Sequence, residues 1–240
     1  MKKIISVGVV IVLSGSLFIS CKKDDNTSSN TSYGFLPAAG TYTYHNTSTD
    51  GTPPADETVV VSGRRDSAGG HAVTMASAVL SYHSQAVLFA DAVNTIEPIY
   101  PPKEFDSLAN AIRAMGIPDF TYEGWPVYQK MPNTAVLNDA LSFSGGPVHM
   151  HWTTTAGPMD YTLAYLNGKV VQTGQKITTP AGTFTCSVWT YGMRSTTITP
   201  IGQFILNFSD TLWMSPGLPF VKSSEQSSTA YSVTVLTKIN

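Results

Sequence analysis

His149 and His151 stand two apart in the run Val148-His149-Met150-His151-Trp152. Successive side chains of an extended chain point to opposite faces, so the two imidazoles share one face and Val148, Met150 and Trp152 the other. A strand often presents two metal ligands in this way, but a zinc site needs at least three protein donors. His45, His71 and His83 are scattered, and the chain has no His-Glu-x-x-His, paired Cys-x-x-Cys or EF-hand loop to supply a third. No metal is therefore expected, and the imidazoles read as surface or cavity-facing polar groups. Nucleophilic catalysis has no clearer signature. The chain after residue 20 lacks a Gly-x-Ser-x-Gly elbow, and Ser144-Gly145-Gly146 has no preceding glycine. Gly69-Gly70 and Gly145-Gly146 come without a Walker lysine, so phosphate binding is not supported. Asp56-Glu57 is the one adjacent carboxylate pair beyond Asp24-Asp25, and nothing marks two carboxylates held across a cleft as glycoside hydrolysis requires. The expectation is no catalytic residue and no cofactor. The alternative enzyme is a hydrolase or metal enzyme that uses His149 and His151 with partners from distant loops.

The composition limits the partners. The 240 residues carry 14 Lys and Arg against 16 Asp and Glu, a net charge of −2. That is no footprint for a phosphate backbone, so nucleic acid is excluded. With 42% hydrophobic and 12% charged residues the chain can bury a core. Met1-Lys2-Lys3 followed by the apolar run Ile4 to Ser20 has the charged and hydrophobic regions of an export signal, at the lower edge of membrane-spanning length. Leu17-Phe18-Ile19-Ser20-Cys21 resembles a bacterial lipobox, with Phe18 where that pattern usually has leucine. The resemblance implies a lipoprotein signal peptide over residues 1–20 and lipidation of Cys21 as the first residue of the mature chain. Several acyl chains would hold it firmly in a membrane. Lys22-Lys23-Asp24-Asp25 resembles the lysine-then-acidic export signal of Bacteroidota surface lipoproteins. It implies an outer-membrane anchor, with the protein periplasmic or surface-exposed. Loss of Lys2 and Lys3 with the signal leaves 12 basic against 16 acidic groups, a mature charge of −4. Once Cys21 is acylated, Cys186 has no disulfide partner. Beside Phe184 and Val188 it reads as a small buried hydrophobe.

The elements follow from periodicity. Residues 22–32 contain no apolar side chain, so residues 21–32 are expected to form a lipid-anchored flexible tether and 33–240 a single β-rich domain. Short runs rich in Val, Thr, Tyr, Phe and Trp alternate with polar residues: Tyr42 and Tyr44; Tyr161, Leu163 and Tyr165; Phe184, Cys186 and Val188; Phe204, Leu206 and Phe208; Tyr231, Val233 and Val235. Each is read as a half-buried strand with its apolar residues on the core face. Asn167-Gly168 predicts a hairpin between Tyr161-Leu166 and Lys169-Thr173, because a type I′ turn needs two residues tolerant of positive φ. Ala72 to Glu97 reads as buried strands, and Pro118 to Pro132 as an irregular crossing with a little strand. Pro102 to Met115 places Phe105, Leu108, Ala109, Ile112 and Met115 on one helical stripe, with Gly116 and Pro118 to end it. The expected fold class is α+β, mostly β: a curved antiparallel sheet or half-barrel packed on one helix.

Two runs carry a family resemblance. Ile177-Thr178-Thr179-Pro180-Ala181-Gly182-Thr183-Phe184-Thr185-Cys186 is similar to a Pro-Ala-Gly-Thr-Phe-x-Cys run in a family of uncharacterised β-rich periplasmic proteins and lipoproteins. Trp213-Met214-Ser215-Pro216-Gly217-Leu218-Pro219-Phe220-Val221-Lys222 resembles that family's Trp-Tyr-x-Pro-Gly-Val-Gly-Leu-Val-Lys run, with Met214 in place of an aromatic and Pro219 in place of a glycine. The resemblance implies a curved sheet similar to the lipoprotein-localisation-factor fold. Pro180 with Gly182 and Pro216 with Gly217 also read as plain turns. The functional expectation is a non-catalytic binding module for a lipid or other hydrophobic ligand, with Trp152, Trp213, Phe220 and Lys222 as candidate ligand-binding residues. The alternative is a surface module that binds glycan or an envelope protein through aromatics such as Trp125 or Tyr128. Asp66-Ser67-Ala68 resembles a short O-glycosylation sequon of Bacteroidota exported proteins; its plain reading is a polar turn.

Overall fold

The computed structural model describes residues 34–77, 86–100, 110, 114 and 119–240. Their strands are β1 (Gly40–Ser48), β2 (Ala55–Val61), β3 (Arg65–Ser67), β4 (Gly70–Ser77), β5 (Ala86–Ala90), β6 (Asn94–Ile99), β7 (Thr121–Glu123), β8 (Val127–Pro132), β9 (Ala140–Ser144), β10 (Val148–Thr154), β11 (Gly157–Thr179), β12 (Gly182–Thr199), β13 (Gly202–Met214), β14 (Lys222–Gln226) and β15 (Tyr231–Ile239). They form one sheet in the order β12-β13-β14-β15-β1-β2-β4-β5-β6-β8-β9-β11, and β11 pairs back onto β12. Those twelve strands close a ring, which removes the open edges of a half-barrel. β10 and β7 extend the sheet beside β11, and β3 pairs with β4.

Closure depends on the 23-residue β11. Its first part pairs with β10, from Gly157 opposite Thr154 to Leu163 opposite Val148. Gly168 and Lys169 then pair with Leu141 and Ala140 of β9, while the other edge follows β12 throughout. The predicted hairpin at Asn167-Gly168 is therefore incorrect, because Tyr161-Leu166 and Lys169-Thr173 are consecutive stretches of one strand. The dipeptide instead marks the register irregularity where one strand edge changes partner from β10 to β9. Asn167 Oδ1 accepts the Phe143 N–H at 3.0 Å, and a Cβ at position 168 would collide with the Thr190 carbonyl.

The tight turns use a different code. Three consecutive hairpins, β10–β11, β11–β12 and β12–β13, turn through Thr154-Thr155-Ala156-Gly157, Thr179-Pro180-Ala181-Gly182 and Thr199-Pro200-Ile201-Gly202. In each, the threonine hydroxyl donates to the glycine carbonyl and accepts the N–H of the residue between them, at 3.0–3.4 Å. The glycines have φ of +126°, +139° and +148°, where side-chain-bearing residues are strained.

The expected α+β fold, with a sheet or half-barrel packed on one helix, is overturned by this nearly all-β closed barrel. Of the predicted helix only Asn110 and Ala114 are described. Both are helical and exposed, and the rest lies outside the described residues. The described interior is filled by inward strand side chains and by the segment that leads into β1. Phe35 and Leu36 are buried. The Phe35 ring stands edge-on to Trp189 at 5.7 Å, and its N–H donates to Thr95 Oγ1 at 3.1 Å. Leu36 packs with Tyr42, Tyr44, Val59, Val73, Leu88 and Leu236. Phe220 stacks on Tyr44 at 4.2 Å, and the Tyr44 hydroxyl donates to the Phe220 carbonyl at 3.0 Å. Each fully buried aromatic or leucine contributes on the order of 2–3 kcal/mol.

Two strand faces depart from expectation. On β15 the inward residues are Ser232, Thr234 and Leu236, while Tyr231 is exposed. Leu236 pairs with the buried Tyr44, and the unbroken register from there to Ser232 opposite Ser48 sets Ser232 and Thr234 on the same face as Leu236. On β13, Phe204 and Leu206 lie near the β12–β13 turn and are exposed. Among the described residues no helix is long and apolar enough to cross a membrane.

Candidate functional site

One part of the barrel interior is solidly packed and the other is open. Inward residues run from one zone into the other along the same strands: Met131 to Gln129 on β8, Trp189 to Tyr191 and Met193 on β12, Met214 to Leu212 and Asp210 on β13, Leu236 to Thr234 and Ser232 on β15. The second residues of each series surround a cavity of about 570 Å³. Clefts of roughly 300–1,000 Å³ are the usual size for small-molecule sites. Its lining is mainly apolar and aromatic, including Ile99, Trp125, Met150, Tyr161, Leu163 and Tyr165. Ser223, Ser224, Ser232 and Thr234 on β14 and β15 form a hydroxyl-bearing side.

Among the described residues three carboxylates face this space: Glu97 on β6, Asp210 on β13 and Glu225 on β14. Burial pushes the Glu97 carboxyl up to about 7. Asp210 also rises to about 7, through burial and then the neighbouring charge of Glu225, against a lowering hydrogen bond from Tyr191. Glu225 is exposed at the side chain yet shifted upward by partial burial, as befits a position at the cavity mouth. Burial likewise raises Tyr161 and Tyr165 above the ordinary phenol range, so both stay neutral donors. Asp210 Oδ2 and Trp125 Nε1 are buried without a hydrogen-bond partner.

The sequence-derived candidates divide. Phe220 lines the cavity. Trp213 lies between the inward Leu212 and Met214, donates from Nε1 to Gln175 Oε1 at 3.0 Å, and carries the Lys222 ammonium 4.6 Å from its ring centroid. Trp213 and Lys222 thus form a cation–π pair outside the cavity lining. Trp152 packs on Phe120 with ring centroids 6.0 Å apart, also outside the lining. Of the two surface aromatics, Trp125 lines the cavity and Tyr128 is exposed. Cys21 lies outside the described residues.

His149 and His151 do share a face, opposite the cavity-lining Val148 and Met150. His149 Nδ1 meets Thr162 Oγ1 at 3.2 Å, and His151 Nδ1 meets Asp160 Oδ1 at 2.7 Å. His45 with Asp56 and His71 with Asp66 make the same kind of cross-strand pair at 2.7 and 3.0 Å. Exposed pairs of this type contribute at most about 1 kcal/mol. Among the described residues no three His, Cys, Asp or Glu side chains are placed to hold a metal. Cys186 is buried, and burial pushes its thiol up to about 11.

A family model described as DUF3108-like matches residues 130–236, a span that contains both sequence runs discussed above. No curated protein matches the chain. Particular structures then share the fold. A crystal structure of a candidate lipoprotein from Parabacteroides distasonis ATCC 8503 aligns with a TM-score of 0.55 at 15% identity, over 86% of this chain and 98% of that one. A candidate exported protein with YmcC-like fold from Bacteroides fragilis NCTC 9343 aligns with a TM-score of 0.51 at 18% identity, over 86% and 99%.

The carboxylates escaped the sequence reading because Asp210 and Glu225 meet only through the β13–β14 register, and only ring closure turns Glu97 toward the same space. Asp210 had one available signal: it is the single charged residue of β13.

Proposed function

We propose that this protein is a lipid-anchored envelope protein that holds a hydrophobic small molecule or lipid in its barrel, without catalysing a reaction. The observation that carries the binding reading is the cavity of about 570 Å³ walled by Met, Leu, Ile, Tyr and Trp side chains. Desolvation of an apolar chain in such a space contributes about 0.8 kcal/mol per methylene. The anchor reading rests on the export-signal pattern, the lipobox resemblance at Cys21 and the descriptions of the two structural neighbours. An outer-membrane position rests on Lys22-Lys23-Asp24-Asp25.

Titration with the neutral fluorophore N-phenyl-1-naphthylamine tests the cavity. One equivalent should bind to the wild type, and Leu163→Trp, which adds bulk on the inward face of β11, should weaken binding about tenfold with an unchanged circular dichroism spectrum. Equal binding by both proteins, or none by the wild type, would place the ligand elsewhere or nowhere.

One observation favours a second reading, a surface module for an envelope protein. The end of the β12–β13 hairpin exposes Ile198, Ile201, Phe204, Ile205 and Leu206. Clustered exposed apolar side chains of this kind mark contact sites. A Phe204→Ser, Leu206→Ser variant that loses a co-purifying envelope protein but keeps fluorophore binding would support it.

A further inference from the structure

Among the described residues, the charges that face the barrel interior are all of one sign. Glu97, Asp210 and Glu225 line the cavity, and among the described residues its lining includes no lysine, arginine or histidine. The cations of the same strands point elsewhere. Lys130 and Arg194 are exposed and alternate with the inward Gln129 and Met193, while Lys222 lies over Trp213.

The arrangement is costly without a counter-charge. Asp210 and Glu225 stand directly opposite each other on adjacent antiparallel strands, the position at which like charges destabilise a sheet most. Asp210 is only 5% exposed, yet its Oδ2 has no hydrogen-bond partner. A buried carboxylate oxygen left unpaired carries the full desolvation penalty of an ion. Glu97 looks into the same cavity from β6, across the ring from β13 and β14. No hydrogen bond to its carboxylate is present among the described residues. Tyr161, Tyr165 and Trp125 line the same cavity, and aromatic faces attract cations.

Such a lining discriminates between amphiphiles by head group. A fatty carboxylate would bring a further negative charge against three carboxyl groups that burial already disfavours as ions. An alcohol would bury its chain equally well but leave the carboxylates unneutralised. A protonated amine would supply the missing charge, donate to Asp210 Oδ2 and fit over the aromatic rings. We propose that the cavity takes an amphiphile with a cationic amine head, its chain among the apolar lining and its ammonium at the Asp210–Glu225 pair, in a space whose opposite wall carries Glu97. This rests on the reading of the cavity as a hydrophobic-ligand site and adds the sign of the ligand.

Proton linkage gives the proposal a second signature. The carboxyls at 97 and 210 sit near 7 when empty, so an ammonium that favours their ionised forms must expel protons on binding. The other titratable groups that line the cavity are Glu225, itself raised by burial, and the phenols of Tyr100, Tyr161, Tyr165 and Tyr191, of which burial holds Tyr161 and Tyr165 neutral. An alkyl ammonium keeps its charge to about pH 10, like a lysine. Amine binding therefore strengthens as pH rises from 5 to 8.

The test uses the unit Ser32–Asn240, which contains the whole ring and its core, in detergent-free buffer. Dodecylamine, 1-dodecanol and dodecanoate are titrated below their aggregation limits, with binding read by tryptophan fluorescence and by native mass spectrometry. At pH 7.5 the amine should bind about tenfold or more tighter than the alcohol, with dodecanoate weakest. Calorimetry in two buffers of different ionisation enthalpy should show proton release for the amine alone. In a Glu97→Gln, Asp210→Asn variant the amine-over-alcohol ratio should fall below about threefold. Alcohol or dodecanoate binding as tightly as the amine to the wild type would overturn the proposal and leave the hydrophobic-ligand reading standing. Failure of all three to bind would overturn both. The wild-type ranking and the proton release decide the matter even if the double variant does not fold.

Discussion

Replacing Glu97 by glutamine keeps the size of an inward side chain and removes its charge, so it isolates the cost of an ionised carboxylate in the cavity. Burial moves this carboxyl from an ordinary value of 4.5 up to about 7 in the folded protein. A carboxyl whose folded value is raised favours the native state fully below the ordinary value, and that advantage is lost as pH rises through the folded value. Each pH unit between the two values is worth about 1.4 kcal/mol. The wild type therefore carries a cost at Glu97 that is under about 1 kcal/mol at pH 5 and reaches up to about 3 kcal/mol at pH 8. Solvent in the cavity mouth screens part of it. Glu97→Gln has no such term. Urea unfolding of both proteins, followed by tryptophan fluorescence, should show nearly equal stability at pH 5 and a more stable variant at pH 8, by up to about 3 kcal/mol. A difference of the same size at both pH values, or a variant less stable at pH 8, would refute the placement of an unpaired carboxylate in a desolvated cavity.

Three other outcomes follow from particular residues. Gly168→Ala should lower stability by about 1–3 kcal/mol in thermal unfolding, because its Cβ meets the Thr190 carbonyl where β11 changes partner. Cys186 should resist a thiol-specific chromophore at pH 8 in the native protein and react promptly in denaturant, since burial pushes its thiol up to about 11. Cys21→Ser should abolish incorporation of labelled fatty acid in the expressing cells and shift the protein from the membrane to the soluble envelope fraction.

The strands were legible because their signal is local. Alternation at Tyr42 and Tyr44, and at Tyr161, Leu163 and Tyr165, requires only that one face meet a core. The three Thr-x-x-Gly turns were equally present in the sequence, of which only Pro180 with Gly182 was read as a turn between strands. Ring closure was not legible, because it depends on Gly157–Leu163 pairing with β10 while Gly168 and Lys169 take β9. No periodicity reports a change of partner along one strand. Asn167-Gly168 misled for the same reason. The dipeptide tolerates both a type I′ turn and an irregularity within a strand, and tertiary pairing chose the second. The aromatic candidates were chosen by residue type. Only a register decides that Phe220 faces the cavity while Trp213 turns to Gln175 and Lys222. The acidic lining was hidden in turn, since Glu97 and Asp210 come to line one cavity only when the ring closes.

Native mass spectrometry of Ser32–Asn240, purified without detergent from its expression host, asks most directly whether the barrel holds a ligand. The account predicts a reproducible added mass that organic extraction releases as an apolar molecule, and that diminishes in Leu163→Trp. A clean apoprotein mass across independent preparations, with no uptake of added amphiphile, would contradict it.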